Sequence, residues 1–334
     1  MPLFFEENDI TKVSCDCIII SADVSLKPTG GMSTAVYNAV KEPKKLAKEC
    51  ERIGFCGGCE CVTTNSHGLN SPYIIHSVAP IFADSKNRAE EYLALCYKNA
   101  IGTAGYKGFE SVAVPLIGTG KKGFSKEMSL RLAVDAAQNY LNKFDMNITI
   151  VVHHKASFQP DGKLIEDVTD YINKNYTQQR AFCCTDSFTY TDTLAQAVTF
   201  AGVPAEGEVK KADSEAAETE TVDFPVILKS AIKNSTVKQN KLYRRANIEK
   251  NAFARLKNNS GKQPTKEAVL ALAAALEMTA QQADKFLTDC RYPTDNSNKQ
   301  YVILKYFLEK GIYNVNIINQ MLFYFNEEQL GALI

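Results

Sequence analysis

The stretch Val114-Pro115-Leu116-Ile117-Gly118-Thr119-Gly120-Lys121-Lys122-Gly123-Phe124 decides how this chain is read. An apolar run of strand character stops at a loop holding three glycines. Gly118, Gly120 and Gly123 are expected to reach backbone angles closed to other residues, so that successive N–H groups turn inward on an oxyanion. Leu130, Ala133, Val134, Ala137 and Leu141 follow at helical spacing, which sets the positive end of a helix beside the loop. An ordinary strand-to-helix turn that needs glycine only for tightness has the same local sequence, and this stretch alone does not separate the two.

A second unit repeats the pattern. Cys17-Ile18-Ile19-Ile20-Ser21 is apolar throughout, as expected of a strand buried on both faces, and Lys27-Pro28-Thr29-Gly30-Gly31 precedes a helix containing Ala35, Ala39 and Val40. In open α/β sheets the loops at the carboxyl ends of strands form the ligand crevice. Two glycine loops there are expected to hold the two phosphates of a nucleotide from opposite sides.

Four blocks in order now resemble one family, the macrodomain, in a bacterial subgroup with an extra C-terminal helical domain. They are Asn8-Asp9-Ile10-Thr11, Asp16 to Asp23, Tyr73-Ile74-Ile75-His76-Ser77-Val78-Ala79-Pro80, and Val114 to Phe124. The resemblance covers about the first 176 residues, and the domain is drawn at 1–178. It implies an α/β fold, a mixed sheet sandwiched by helices, that binds ADP-ribose, its derivatives or its protein conjugates with no further cofactor. Asp9 would accept from the adenine amino group, Ile117 to Gly123 would wrap the diphosphate, and Phe124 would pack beside the distal ribose. The implied ligand-binding set is Asp9, Ile10, Ser21, Ala22, Asp23, Gly30, Gly31, Met32, Ser33, Ile117, Gly118, Thr119, Gly120, Lys121, Lys122, Gly123, Phe124 and His153.

Departures from the family bear on chemistry. Hydrolytic macrodomains carry an Asn-Ala-Ala-Asn-like stretch where this chain has Ile20-Ser21-Ala22-Asp23, and active members often place an Asp where Ser33 stands. A hydroxyl of high pKa does not replace a carboxylate as general base at neutral pH unless another group activates it. Asp23 is the remaining loop carboxylate and the candidate catalytic residue, although beside a diphosphate it would repel the ligand by about 1 kcal/mol when solvated and by more if buried. Lys27, Lys121 and Lys122 either offset that charge or are solvated loop lysines. Binding is therefore the leading expectation. An ADP-ribosyl hydrolase using Asp23 is the alternative, and a nucleotide-responsive regulator of nucleic acid is a third.

Charge is balanced over the 334 residues, with 38 Lys plus Arg against 38 Asp plus Glu, so no global field attracts nucleic acid or membrane. Residues 179–223 read as a linker, acidic in its second half, where too few apolar groups occur to offset chain entropy. Residues 224–334 read as an all-helical bundle for a protein or DNA partner. Thr265 is the expected N-cap of a helix carrying Val269, Leu272, Ala273 and Leu276, and further helices are expected over about 280–290, 298–309 and 315–330. Lys241 to Asn259 resembles a helix-turn-helix, which makes Arg244, Arg245, Arg255 and Lys257 candidates for nucleic-acid contact, although a basic helix pair more often makes a solvated face than a base-reading one.

Ten cysteines in a chain of this length read as reduced thiols. Cys56, Cys59 and Cys61 lack a second spaced Cys/His pair, so no metal is assigned. His76 reads as a core histidine, whereas His153 and His154 end the strand Ile148 to Val152, as an adenine-stacking ring or as a simple loop pair. No leader-like start and no run long enough to span a bilayer is seen, and a cytoplasmic location is expected.

Overall fold

Ile18 and Ile20 pack on one face of the sheet and Cys17 and Ile19 on the other, all without solvent exposure, so the run from Cys17 is buried on both sides as its composition requires. The computed structural model describes residues 2–85, 88–176, 223–235, 237, 241–258, 263–292 and 294–331. The elements run β1 (Leu3–Glu7), β2 (Cys17–Ala22), α1 (Gly31–Ala39), α2 (Pro43–Ile53), β3 (Cys61–Asn65), β4 (Tyr73–Val78), α3 (Phe82–Ser85), α4 (Ala89–Tyr106), β5 (Ser111–Pro115), α5 (Lys126–Leu141), β6 (Asn147–Val152) and α6 (Gly162–Asn175). After them come α7 (Phe224–Lys233), α8 (Leu242–Arg245), α9 (Lys250–Lys257), α10 (Lys266–Ala275), α11 (Ala280–Asp289), α12 (Lys299–Glu309) and α13 (Val315–Tyr324).

The strand order is β1-β6-β5-β2-β4-β3, parallel throughout except for antiparallel β3 against β4. Helices α4 and α5 cover one face and α1 and α2 the other. The fold is thus the expected mixed sheet between helices. Parallel pairing has one decisive effect on the site: the carboxyl ends of β1, β6, β5 and β2 all open on the same edge.

The described residues up to 176 and from 223 onward cluster as one compact unit. The core of the helices after residue 223 takes in Val168 and Ile172 of α6, a helix that the boundary at 178 assigned wholly to the first domain. Helix α10 is buried all round from Ala268 onward, which marks it as the central helix of the bundle. Thr265 caps it as expected, accepting from the Ala268 N–H. Helix α13 is shorter than the expected 315–330 because Asn326 turns the chain through a left-handed conformation, φ 61°. The acidic linker at 179–223 lies outside the described residues except for Asp223. Among the described residues no helix is long and apolar enough to cross a membrane.

Candidate functional site

The loop after β5 is fixed at its root and open at its tip. Tyr97 Oη accepts from the Ile117 N–H at 2.7 Å, and Ser129 Oγ donates to the Ile117 carbonyl at 2.9 Å. Further on, the Gly123 N–H bonds to Gly120 O at 3.0 Å and the Phe124 N–H to Gly118 O at 3.2 Å, folding the loop on itself. The N–H groups of Gly118, Thr119, Gly120, Lys121 and Lys122 make no hydrogen bond to any described residue. A run of unused donors of this kind suits an oxyanion. Ile117 does not belong among them, because Tyr97 uses its N–H.

Only two of the three glycines hold the left-handed backbone expected of all three. Gly118 has φ 79° and Gly123 φ 82°, whereas Gly120 does not fall in that region and faces open space. A Cβ at Gly118 would lie 2.8 Å from the Phe124 ring. Phe124 itself is 3 % exposed, packed under Gly118 and edge-on to Phe82 at 5.4 Å. Its partner Phe82 is 41 % exposed.

The loop after β2 stands opposite. Lys121 Nζ donates to the Thr29 carbonyl at 2.7 Å, tying the two glycine loops together. Gly30 and Gly31 lead into α1, and Met32 Sδ lies 3.3 Å from the Ser21 N–H. Ser33 is buried, and its hydroxyl both accepts from the Gly30 N–H and donates to the Gly30 carbonyl, each at 3.1 Å. That hydroxyl shapes the turn. Ala22 is the buried end of β2, and Asp23 follows it with Oδ1 accepting from the Ser25 N–H at 3.1 Å and from Ser25 Oγ at 2.9 Å. Those two bonds, with the charge of Lys122, outweigh burial and hold the Asp23 carboxyl below the usual carboxylate range. Asp23 Oδ2 makes no hydrogen bond to a described residue.

At the ends of β1 and β6 lies a second corner. The Asn8 N–H bonds to Val152 O at 3.0 Å, which brings Asp9 beside the residues that follow β6. Burial pushes the Asp9 carboxyl up, but bonds from the Thr11 N–H (3.0 Å) and Oγ1 (2.8 Å), together with the charges of His153 and Lys12, hold it below the usual range. All these bonds use Oδ1, and Oδ2 makes no hydrogen bond to a described residue. His153 is exposed and its ring lies 4.3 Å from that of His154, while Ile10 is a core residue.

The basic candidates beyond residue 240 lie elsewhere. Arg244 pairs with Asp145 at 3.1 Å and donates to Asn142 O at 3.0 Å, and Arg245 pairs with Glu277. Helix α8 spans four residues, too short for the first helix of the expected helix-turn-helix, and Arg255 and Lys257 lie on α9. His76 is a core residue, 1 % exposed and bonded through Nε2 to Thr64 Oγ1 at 2.9 Å. The described cysteines are free thiols. Sequence reasoning missed Tyr97, Ser25 and Phe82; each acts through a contact set by tertiary packing or a local turn, with no motif to announce it.

Parallel strands that end together beside two glycine loops are the arrangement in which open α/β sheets generally hold their ligands. A macro domain family model matches residues 21–133. A macro domain-containing protein of Listeria monocytogenes is 33% identical over 153 residues, covering 44% of this chain and 86% of the relative. O-acetyl-ADP-ribose deacetylase 1 of Pantoea vagans is 33% identical over 151 residues, 43% of this chain and 87% of that protein. A structure of the Oceanobacillus iheyensis macrodomain with ADP is 29% identical, covers 44% of this chain and 80% of that one, and superposes with a TM-score of 0.42. The chain belongs to the macro domain family.

Proposed function

We propose that this protein binds ADP-ribose or a closely related nucleotide across the two glycine loops, with the base toward Asp9 and His153. The observation that carries this reading is the run of five unused N–H groups from Gly118 to Lys122, facing Thr29 across the Lys121 contact. The free Oδ2 of an ionised Asp9 suits an exocyclic amine, and a relative is named for an ester of ADP-ribose. Calorimetric titration of the full chain with ADP-ribose and its cyclic and 1-phosphate forms tests the reading. One of them is expected to bind at a single site, and heat from none of the three would remove it.

Asp23 supports a second reading, hydrolysis of an ADP-ribosyl bond. Its carboxylate is held by Ser25 with Oδ2 left to orient a water. The depressed pKa suits an ionised group that positions water and does not suit a general acid. A nucleic-acid role for the bundle has less support, since Arg244 and Arg245 are committed to Asp145 and Glu277.

A further inference from the structure

Helix α13 stands directly behind the base-side corner of the crevice. Phe323, near its end, meets Phe158 edge-on at 4.7 Å and Phe5 at 6.0 Å, while Phe5 and Phe158 meet at 5.2 Å. All three rings are buried. Phe5 belongs to β1, which leads to Asp9; Phe158 closes the segment that begins at His153. Both walls of the corner thus rest on one aromatic cluster whose third ring comes from the bundle.

The segment from His153 to Phe158 is short and closes on itself through two backbone bonds, from the Ser157 N–H to the His154 carbonyl and from the Phe158 N–H to the Lys155 carbonyl, each 2.8 Å. Its regular structure is a single 3₁₀ turn, Lys155–Ser157. The Lys155 N–H bonds to Glu7 Oε1 at 2.7 Å, and Lys155 Nζ lies over the Phe323 ring, 3.5 Å from its centre. Phe323 therefore touches this segment twice, through Lys155 at its start and Phe158 at its end.

We infer that Phe323 is a positioning residue for base selectivity: through Lys155 and Phe158 it holds His153 against the base, so that the adenine amine stays on Asp9. The inference rests on the reading that an adenine nucleotide occupies the crevice. A base that His153 no longer pins does not keep its amine on Asp9, so adenine loses more than hypoxanthine, which has no such amine. The C-terminal helices then act on what the crevice accepts without touching the ligand.

Calorimetry on the full chain and on Phe323→Leu, with ADP-ribose and its inosine counterpart, tests the role. Wild-type protein is expected to prefer ADP-ribose. In Phe323→Leu the competent arrangement falling to about a tenth would weaken ADP-ribose about tenfold and bring the two affinities together, while Phe323→Tyr keeps the ring and the preference. Should Phe323→Leu not fold, Lys155→Met, at a partly exposed position, removes the charge over the ring and is read the same way. Loss of affinity equal for both ligands, or no loss, overturns the positioning role. Wild-type protein that binds neither ligand overturns the nucleotide reading beneath it.

Discussion

Asn247 holds Leu3 as a neighbouring strand would. Its Oδ1 accepts from the Leu3 N–H at 2.7 Å and its Nδ2 donates to the Leu3 carbonyl at 3.0 Å, across 244 positions of sequence. Gln329 repeats the arrangement on Phe5, at 2.9 Å and 2.7 Å. Two side-chain amides thereby satisfy the outer edge of β1, which a bare edge strand would leave to foreign chains.

Replacing Asn247 by Ala is expected to cost about 3 kcal/mol, from orphaned buried groups on Leu3 and from an alanine forced into a left-handed backbone. Asn247 has φ 54°, a conformation that asparagine tolerates better than alanine. Urea denaturation checks the value, and an unchanged midpoint would show that the amide pair contributes nothing net.

Residues 1–176 expressed alone should behave poorly. The cut bares the β1 edge and the apolar face of α6 that carries Val168 and Ile172. Size-exclusion chromatography should show aggregates or a dimer, whereas a stable monomer would mean that the bundle is dispensable to the sheet.

Gly118→Ala and Gly120→Ala should separate sharply. At Gly118 the new methyl group meets the Phe124 ring in a left-handed backbone, and ADP-ribose binding should fall at least about tenfold with about 1–2 kcal/mol of stability. Gly120 faces open space and its substitution should leave the melting temperature nearly unchanged. Equal effects at both positions would contradict the loop geometry.

Asp23→Ala decides between binder and hydrolase. Wild-type release of ADP-ribose from modified protein is expected to be slow or absent, because the carboxylate lacking at Ser33 typically contributes about 10²-fold to 10⁴-fold. Robust turnover that Asp23→Ala abolishes would establish the hydrolase. Ser33→Asp should lower stability instead of granting activity, since the Ser33 side chain is buried against Gly30.

His76 sets a pH dependence of known sign. Burial drives its pKa down to about 4, against a partial counter-effect from Glu49. Between about 4 and the unfolded value near 6.5, the unfolded chain binds more protons, so stability falls as pH falls through that window. In His76→Gln the unfolding free energy should lose up to about 1.4 kcal/mol per pH unit of this slope. An unaltered slope between pH 7 and pH 4 would exclude His76 as its source.

What the sequence made legible follows from how local each cause is. The buried run at Cys17 and the glycines at 118–123 carry their structural meaning within a few residues, and the sheet and the phosphate loop were visible there. The ribose role of Phe124 is implied by the motif around it, whereas its packing under Gly118 depends on the fold of the whole loop. The separate C-terminal domain was drawn from a change in composition near 179–223. A break in composition does not report whether the segments on either side share a core, and Val168 with Leu228 shows that they do. The pairing of Arg244 with Asp145 was not legible in the sequence, because the two are distant in sequence and near only in space.

The bond from Lys121 to Thr29 has a consequence for how a phosphate group would arrive. Ordering a lysine side chain costs up to about 2 kcal/mol of rotamer freedom, and here that freedom is already restricted in the free protein. An incoming phosphate meets an ammonium held at the mouth by a single neutral carbonyl and offers it several charged oxygens in exchange. A phosphate bound there would inherit a tethered counter-ion, and the two loops would trade a link through their own chain for one through the guest.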